Sequence, residues 1–166
     1  TGLKKNSLFG TKVNQKQDSI KKFSEKISVI KNNQINSDFM VIARVESLIL
    51  NKGMKDALKR AYAYVAAGAD GIMIHSKSNS PKEIFEFSKK FRKNFKDIPL
   101  ICVPTSYNSV KESDLIKNNF NVVIYANHLF RASYPAMMKT ALSILKNSRS
   151  KETDKKFTRS DYTYWK

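Results

Sequence analysis

The sequence predicts an α/β protein built from parallel strands with helical crossovers. Short apolar runs rich in β-branched residues lack polar alternation, as strands buried on both faces do. Between them lie longer stretches whose apolar residues recur at three- and four-residue steps. The strand starts fall near positions 41, 72, 100 and 122, separations of 31, 28 and 22 residues, which suits repeated βα units.

Asp18 or Ser19 can cap a first helix carrying Ile20, Phe23, Ile27 and Ile30, which ends in the polar stretch 31–38. Phe39 to Val45 reads as the first strand. Gly53 breaks the chain, and Met54 to Ala67 forms a helix with Leu58, Ala61 and Val65 on one side, stopped by Gly68. Gly71 to His75 is the second strand, and Ser80-Pro81 opens a helix carrying Ile84, Phe87, Phe91 and Phe95. Leu100 to Val103 is the third strand, a short helix spans about Lys111 to Asn118, and Val122 to Tyr125 is the fourth strand. The last helix runs from about Arg131 to Lys146, and a basic tail follows over 148–166, expected to lack order.

The chain has 166 residues, 41% hydrophobic and 27% charged, enough to bury one core. No apolar run reaches the ~20 residues of a membrane span, and the start has no signal-peptide pattern, so a soluble protein is expected. A lone Cys102 removes any disulfide framework and fits a reducing, cytoplasmic setting. The net charge of +17 invites a nucleic-acid reading, but its makeup argues against one: of 31 cations 25 are Lys and 6 Arg, with 14 Asn beside them. Base readers favour Arg for bidentate contacts, and lysines spread over helix faces read as solvated surface.

Polar residues close each strand: Arg44 and Glu46, His75 and Ser76, Pro104 and Thr105, Asn127 and His128. Parallel α/β folds bind ligands at the carboxyl ends of strands, so these ends suggest one site, in either an open sheet or a (β/α)8 barrel. No G-x-G-x-x-G or P-loop pattern follows any strand, which disfavours dinucleotides and P-loop nucleotides. Arg44 can grip a carboxylate or phosphoryl group bidentately, or simply pair with Glu46 or Asp70.

The runs Ile42-Ala43-Arg44-Val45-Glu46, Asp56-Ala57-Leu58-Lys59-Arg60-Ala61 and Ala66 to Ser76 strongly resemble the phosphoenolpyruvate mutase branch of the isocitrate lyase superfamily. Val103-Pro104-Thr105, Tyr125-Ala126-Asn127-His128 with Arg131-Ala132-Ser133, and the lid-like Lys4-Lys5-Asn6-Ser7-Leu8 extend the resemblance in order over about 3–146. It implies that the four strands are the fifth to eighth of a (β/α)8 TIM-type barrel. Residues 1–147 would then be the C-terminal half, with 1–17 the lid segment and the first four strands absent from this sequence.

The activity implied is interconversion of phosphoenolpyruvate and phosphonopyruvate, small-molecule chemistry in an oligomeric enzyme. By the same resemblance Arg44, His75, Asn6 and Lys4 act on substrate, while Ser76, Glu46 and Asn127 bind it or orient those groups. Mg2+ is the implied cofactor, held by carboxylates that precede this sequence, so the chain supplies no metal ligand and is expected to be inactive alone. Lyases of the superfamily carry a K-[KR]-C-G-H lid; Lys4-Lys5-Asn6-Ser7 lacks its Cys and His. Phosphonopyruvate hydrolase is the nearer rival, and Asn6 favours the mutase. From another class, a noncatalytic half-barrel would expose pairing edges.

Overall fold

The computed structural model describes residues 15–156. Four strands, β1 (Ile42–Val45), β2 (Gly71–Ile74), β3 (Leu100–Cys102) and β4 (Val122–Val123), form one sheet in sequence order. Every neighbouring pair is parallel. Helix α1 (Ile20–Asn32) precedes the sheet, and α2 (Gly53–Ala66), α3 (Lys82–Phe91) and α4 (Glu112–Lys117) are its three crossovers. A parallel α/β fold is therefore what the alternating pattern encodes.

The helices cover one face. Ala43, Val45, Ile72, Ile74, Leu100 and Cys102 all lie in the buried core with Ile84, Phe87 and Phe91 of α3. Because strand side chains alternate, Ile42, Arg44, Met73 and Ile101 take the opposite face.

Local chemistry explains most boundaries. Ser19 caps α1, its hydroxyl accepting the Lys22 N–H. At the end of α2, Gly68 takes φ +100°, its N–H bonds the Val65 carbonyl at 2.9 Å, and the Ala69 N–H bonds the Tyr64 carbonyl at 3.0 Å. This is a Schellman closure, and it needs glycine at the left-handed position.

Three expectations change. The first strand begins at Ile42, not Phe39, because β2 offers its first partner at Gly71; Phe39 and Met40 are 57% and 50% exposed. Helix α2 buries Ala57, Ala61 and Tyr64 in place of the stripe through Leu58 and Val65. The small alanines let the helix approach the sheet closely, and Tyr64 packs on Phe23 of α1 with ring centroids 4.7 Å apart. The fourth strand ends at Val123, the partner of Cys102, which is the last residue of β3; the Ile124 N–H still bonds the Cys102 carbonyl at 2.9 Å.

The chain divides into two compact units between Tyr125 and Ala126. The second unit contains α5 (His128–Asn147), which starts three residues earlier than the apolar pattern suggested. No residue of α5 is buried, and Leu129, Phe130, Met137, Leu142 and Leu145 are exposed along it. After α5 a 3-10 helix spans Lys151–Lys156, and Arg149 pairs with Glu152 at 2.6 Å.

Candidate functional site

The carboxyl ends of β1 and β2 supply the candidate site. Arg44 stands opposite Met73 and Val45 opposite Ile74, and the His75 N–H extends the ladder to the Val45 carbonyl at 3.3 Å. Alternation therefore puts Arg44, Glu46 and His75 on the face away from the helices, on adjacent strands.

Arg44 Nη2 lies 2.6 Å from Glu46 Oε1, with the two side chains 40% and 12% exposed. Of the two structural partners open to Arg44 in the sequence, Glu46 is the one it takes. Asp70 is occupied elsewhere: both carboxylate oxygens accept from Lys31 Nζ at 2.9 Å, and Oδ2 also accepts the Val41 N–H at 2.7 Å. Burial alone would raise the Asp70 pKa, but these donors outweigh it and hold the carboxyl below its ordinary value.

Glu46 is bound a second time, by the Gln15 side-chain amide at Oε2. Next to it Ser47, fully buried, starts a polar chain. Gln17 Nε2 donates to Ser47 Oγ at 3.1 Å, Ser47 Oγ donates to Asp56 Oδ2 at 2.7 Å, and Arg60 Nε donates to the same oxygen at 2.9 Å. Arg60 Nη1 reaches the Asp18 carbonyl at 2.9 Å and Tyr64 Oη at 3.0 Å. Sequence reasoning missed Gln15, Gln17 and Ser47. The available signals were the i, i+4 pair Asp56/Arg60 and the two-residue alternation of the glutamines before a helix cap.

Ser76 turns to the other side of the sheet. It is 1% exposed, donates to Glu83 Oε2 of α3 at 2.6 Å and accepts the Ser78 N–H at 3.0 Å, pinning the turn after β2. Asn127 belongs to the second unit, where its carbonyl accepts the Arg131 N–H at 2.9 Å at the start of α5. Lys4 and Asn6 lie outside the described residues.

A cavity of about 840 Å³ opens beside the network, lined by Gln15, Lys16, Lys52, Asp56, Arg60 and Lys77 among others. It borders the strand ends without including Arg44 or His75, and its cations make this rim electropositive. At the end of β3, burial pushes the Cys102 thiol up to about 12, so it stays protonated near neutrality and is no nucleophile. Among the described residues no three His, Cys, Asp or Glu converge to hold a metal ion. Nor is any described helix long and apolar enough to cross a membrane.

Fold and strand ends together define a parallel α/β protein with a cation, an acid and an imidazole at the carboxyl edge of its sheet, where such folds bind ligands. Residues 4–145 match the family model described as Phosphoenolpyruvate phosphomutase, and the chain belongs to that family. It is 43% identical over 141 residues to a phosphoenolpyruvate phosphomutase of Tetrahymena pyriformis, covering 85% of this chain and 46% of the relative. A solved phosphoenolpyruvate phosphomutase from Streptomyces platensis subsp. rosaceus superposes with TM-score 0.79 at 35% identity, over 90% of this chain and 51% of that one. A phosphonopyruvate hydrolase solved with oxalate and Mg2+ superposes with TM-score 0.77 at 36% identity, over 89% and 51%. The chain thus spans about half the length of these relatives.

Proposed function

We propose that the chain forms strands five to eight of a (β/α)8 barrel and serves a phosphoenolpyruvate mutase, interconverting phosphoenolpyruvate and phosphonopyruvate. The observation that carries this reading is the placement of Arg44 and His75 on one face at the ends of adjacent parallel strands, in a chain of this family.

Moving a phosphoryl group between enolate oxygen and carbon demands positioning and stabilisation of spread negative charge. Arg44 supplies a planar fork of donors, of which Nη2 is engaged by Glu46; further N–H groups can grip a carboxylate or phosphoryl oxygen. His75 donates a hydrogen bond to the transferring group. In the same reading Asn6 holds that group while water is excluded, which protects it from hydrolysis, and Lys4 adds positive charge. Glu46 orients Arg44, and Ser76 fixes the turn that carries His75.

The described residues do not make a Mg2+ site: Glu46 is bound by Arg44 and Gln15, Asp70 by Lys31, and no three His, Cys, Asp or Glu among them converge. In this reading the Mg2+ ligands come from outside this sequence, and no step here is assigned to the metal. A homo-oligomer in the cytoplasm belongs to the same proposal, with the exposed apolar residues of α5 as the surface to be covered.

Hydrolysis of phosphonopyruvate is the second reading, favoured by the likeness to the hydrolase and opposed by Asn6. Product analysis by 31P NMR separates them. The full-length natural protein given phosphonopyruvate and Mg2+ is expected to yield phosphoenolpyruvate; pyruvate and phosphate would establish the hydrolase, and neither product would sink both. The 166-residue chain alone is expected to turn over nothing, and turnover by it would overturn the partial-barrel reading. Arg44→Ala is expected to lower kcat about 10²–10³-fold, the usual cost of losing a donor to developing charge.

A further inference from the structure

We infer that Gln15 is a positioning residue that holds Arg44 in place through Glu46; this rests on the reading of Arg44 as an anion-gripping group. The Glu46 carboxylate accepts at both oxygens, Oε1 from Arg44 Nη2 and Oε2 from the Gln15 amide. A donor lost from Oε2 loosens the carboxylate about its last torsion, and the guanidinium on Oε1 with it. With both oxygens tied, the acid has one orientation, and the arginine, itself 40% exposed, acquires a fixed backing on one side.

The residue type at position 15 suits this task. An amide donates without adding charge, so Glu46 keeps its full attraction for Arg44. An ammonium at 15 would compete with Arg44 for the carboxylate, and a second carboxylate would repel Glu46 and offer it no donor. Gln15 is also well anchored. Two residues on, Gln17 is bonded to Ser47, and the Asp18 carbonyl is bonded to Arg60. The stretch 15–18 is thus tied to the end of β1 at Gln17 and to α2 at Asp18, so the position of the amide is set by the backbone on which it sits.

The test uses the full-length natural protein and two readouts. The first needs no turnover: the 15N signals of the Arg44 side chain, assigned by their loss in Arg44→Lys, report how firmly the guanidinium is held. Gln15→Ala is expected to speed exchange of its protons at least threefold and Gln15→Lys by more, while Gln15→Asn, which keeps an amide, restores part of the protection. The second is steady-state kinetics on phosphonopyruvate. Gln15→Ala is expected to lower kcat/KM about tenfold, and in a Glu46→Gln background to have no further effect. An Arg44 signal unchanged by Gln15→Ala, or effects of Gln15→Ala and Glu46→Gln that simply multiply, would overturn the inference. If the signal responds while Arg44→Ala leaves turnover intact, the coupling stands and the proposed role of Arg44 falls.

Discussion

The two faces of the sheet are made by alternate residues of the same strands, and they differ in what they do. Toward the helices, Ala43, Val45, Ile72, Ile74 and Leu100 are nearly or fully buried against α2 and α3. On the other face the character changes along the strand direction: Ile42 and Gly71 at the start give way to Arg44 and Met73, with Ile101 in register beside Met73, and then to Glu46 and His75 past the strand ends. Burial of apolar area favours the first arrangement, whereas a guanidinium and a carboxylate at a strand end have no stabilising advantage over apolar residues of similar size. The helix-covered face therefore holds the fold, and the polar end of the opposite face is where chemistry is to be sought.

The comparison breaks if side chains on the covered face can be removed cheaply. Phe87 is fully buried and stacks on Phe91 at 5.7 Å between centroids. Phe87→Ala is expected to cost about 3–5 kcal/mol in denaturant unfolding, the usual range for a truncated core phenylalanine. By contrast Arg44→Ala, which removes a half-exposed ion pair, is expected to change stability by about 1 kcal/mol or less while abolishing most turnover. Equal stability losses in the two variants would erase the distinction between the faces.

Gly71 sharpens it within the second face. A Cβ there would sit 2.7 Å from Ile42 Cδ1 and 3.2 Å from both Ile101 Cδ1 and the Pro99 carbonyl. The start of this face is thus as tightly filled as a core. Gly71→Ala is expected to cost about 1–3 kcal/mol through overpacking, read as a lowered denaturation midpoint with unchanged slope. A neutral substitution would mean that the apolar end of this face is loosely packed.

The helix-covered face was largely legible in the sequence. Ile84, Phe87 and Phe91 recur at helical spacing, and the runs Gly71–Ile74 and Leu100–Cys102 are apolar without alternation, so strand type and core followed from pattern. Legibility failed where pairing geometry decides. Phe39 and Met40 are as apolar as a strand needs, but no partner strand reaches them. Ala61 was legible as core, but Leu58 and Val65 look more like core than Ala57 and Tyr64 do; close helix–sheet approach favours the small Ala57, and the Tyr64 hydroxyl is satisfied by Arg60. Of the candidate site, the placement of Arg44, Glu46 and His75 at strand ends was legible because polar residues ending buried strands stand out. Gln15 and Ser47 were not, since their roles depend on two segments about 30 residues apart meeting at the end of β1.

The smallest predicted effect lies at the opposite end of β1, where Asp70 ties the start of the strand to α1 by accepting from the Val41 N–H and Lys31. Its folded pKa lies below the unfolded value of about 3.9, so its contribution is fully present above that pH and is lost as pH falls through the folded pKa. Asp70→Asn keeps an acceptor for the Val41 N–H but gives up the ion pair, a change expected to cost about 1 kcal/mol or less at pH 7. The more telling readout is the acid limb of stability, measured by urea titration from pH 5 down to pH 2. The wild type is expected to lose stability more steeply than Asp70→Asn below about pH 4, and Lys31→Met should flatten the limb in part, because the Val41 N–H remains. Parallel acid limbs in all three proteins would show that the low pKa has no consequence for folding and that the amino end of β1 is held by apolar contacts alone.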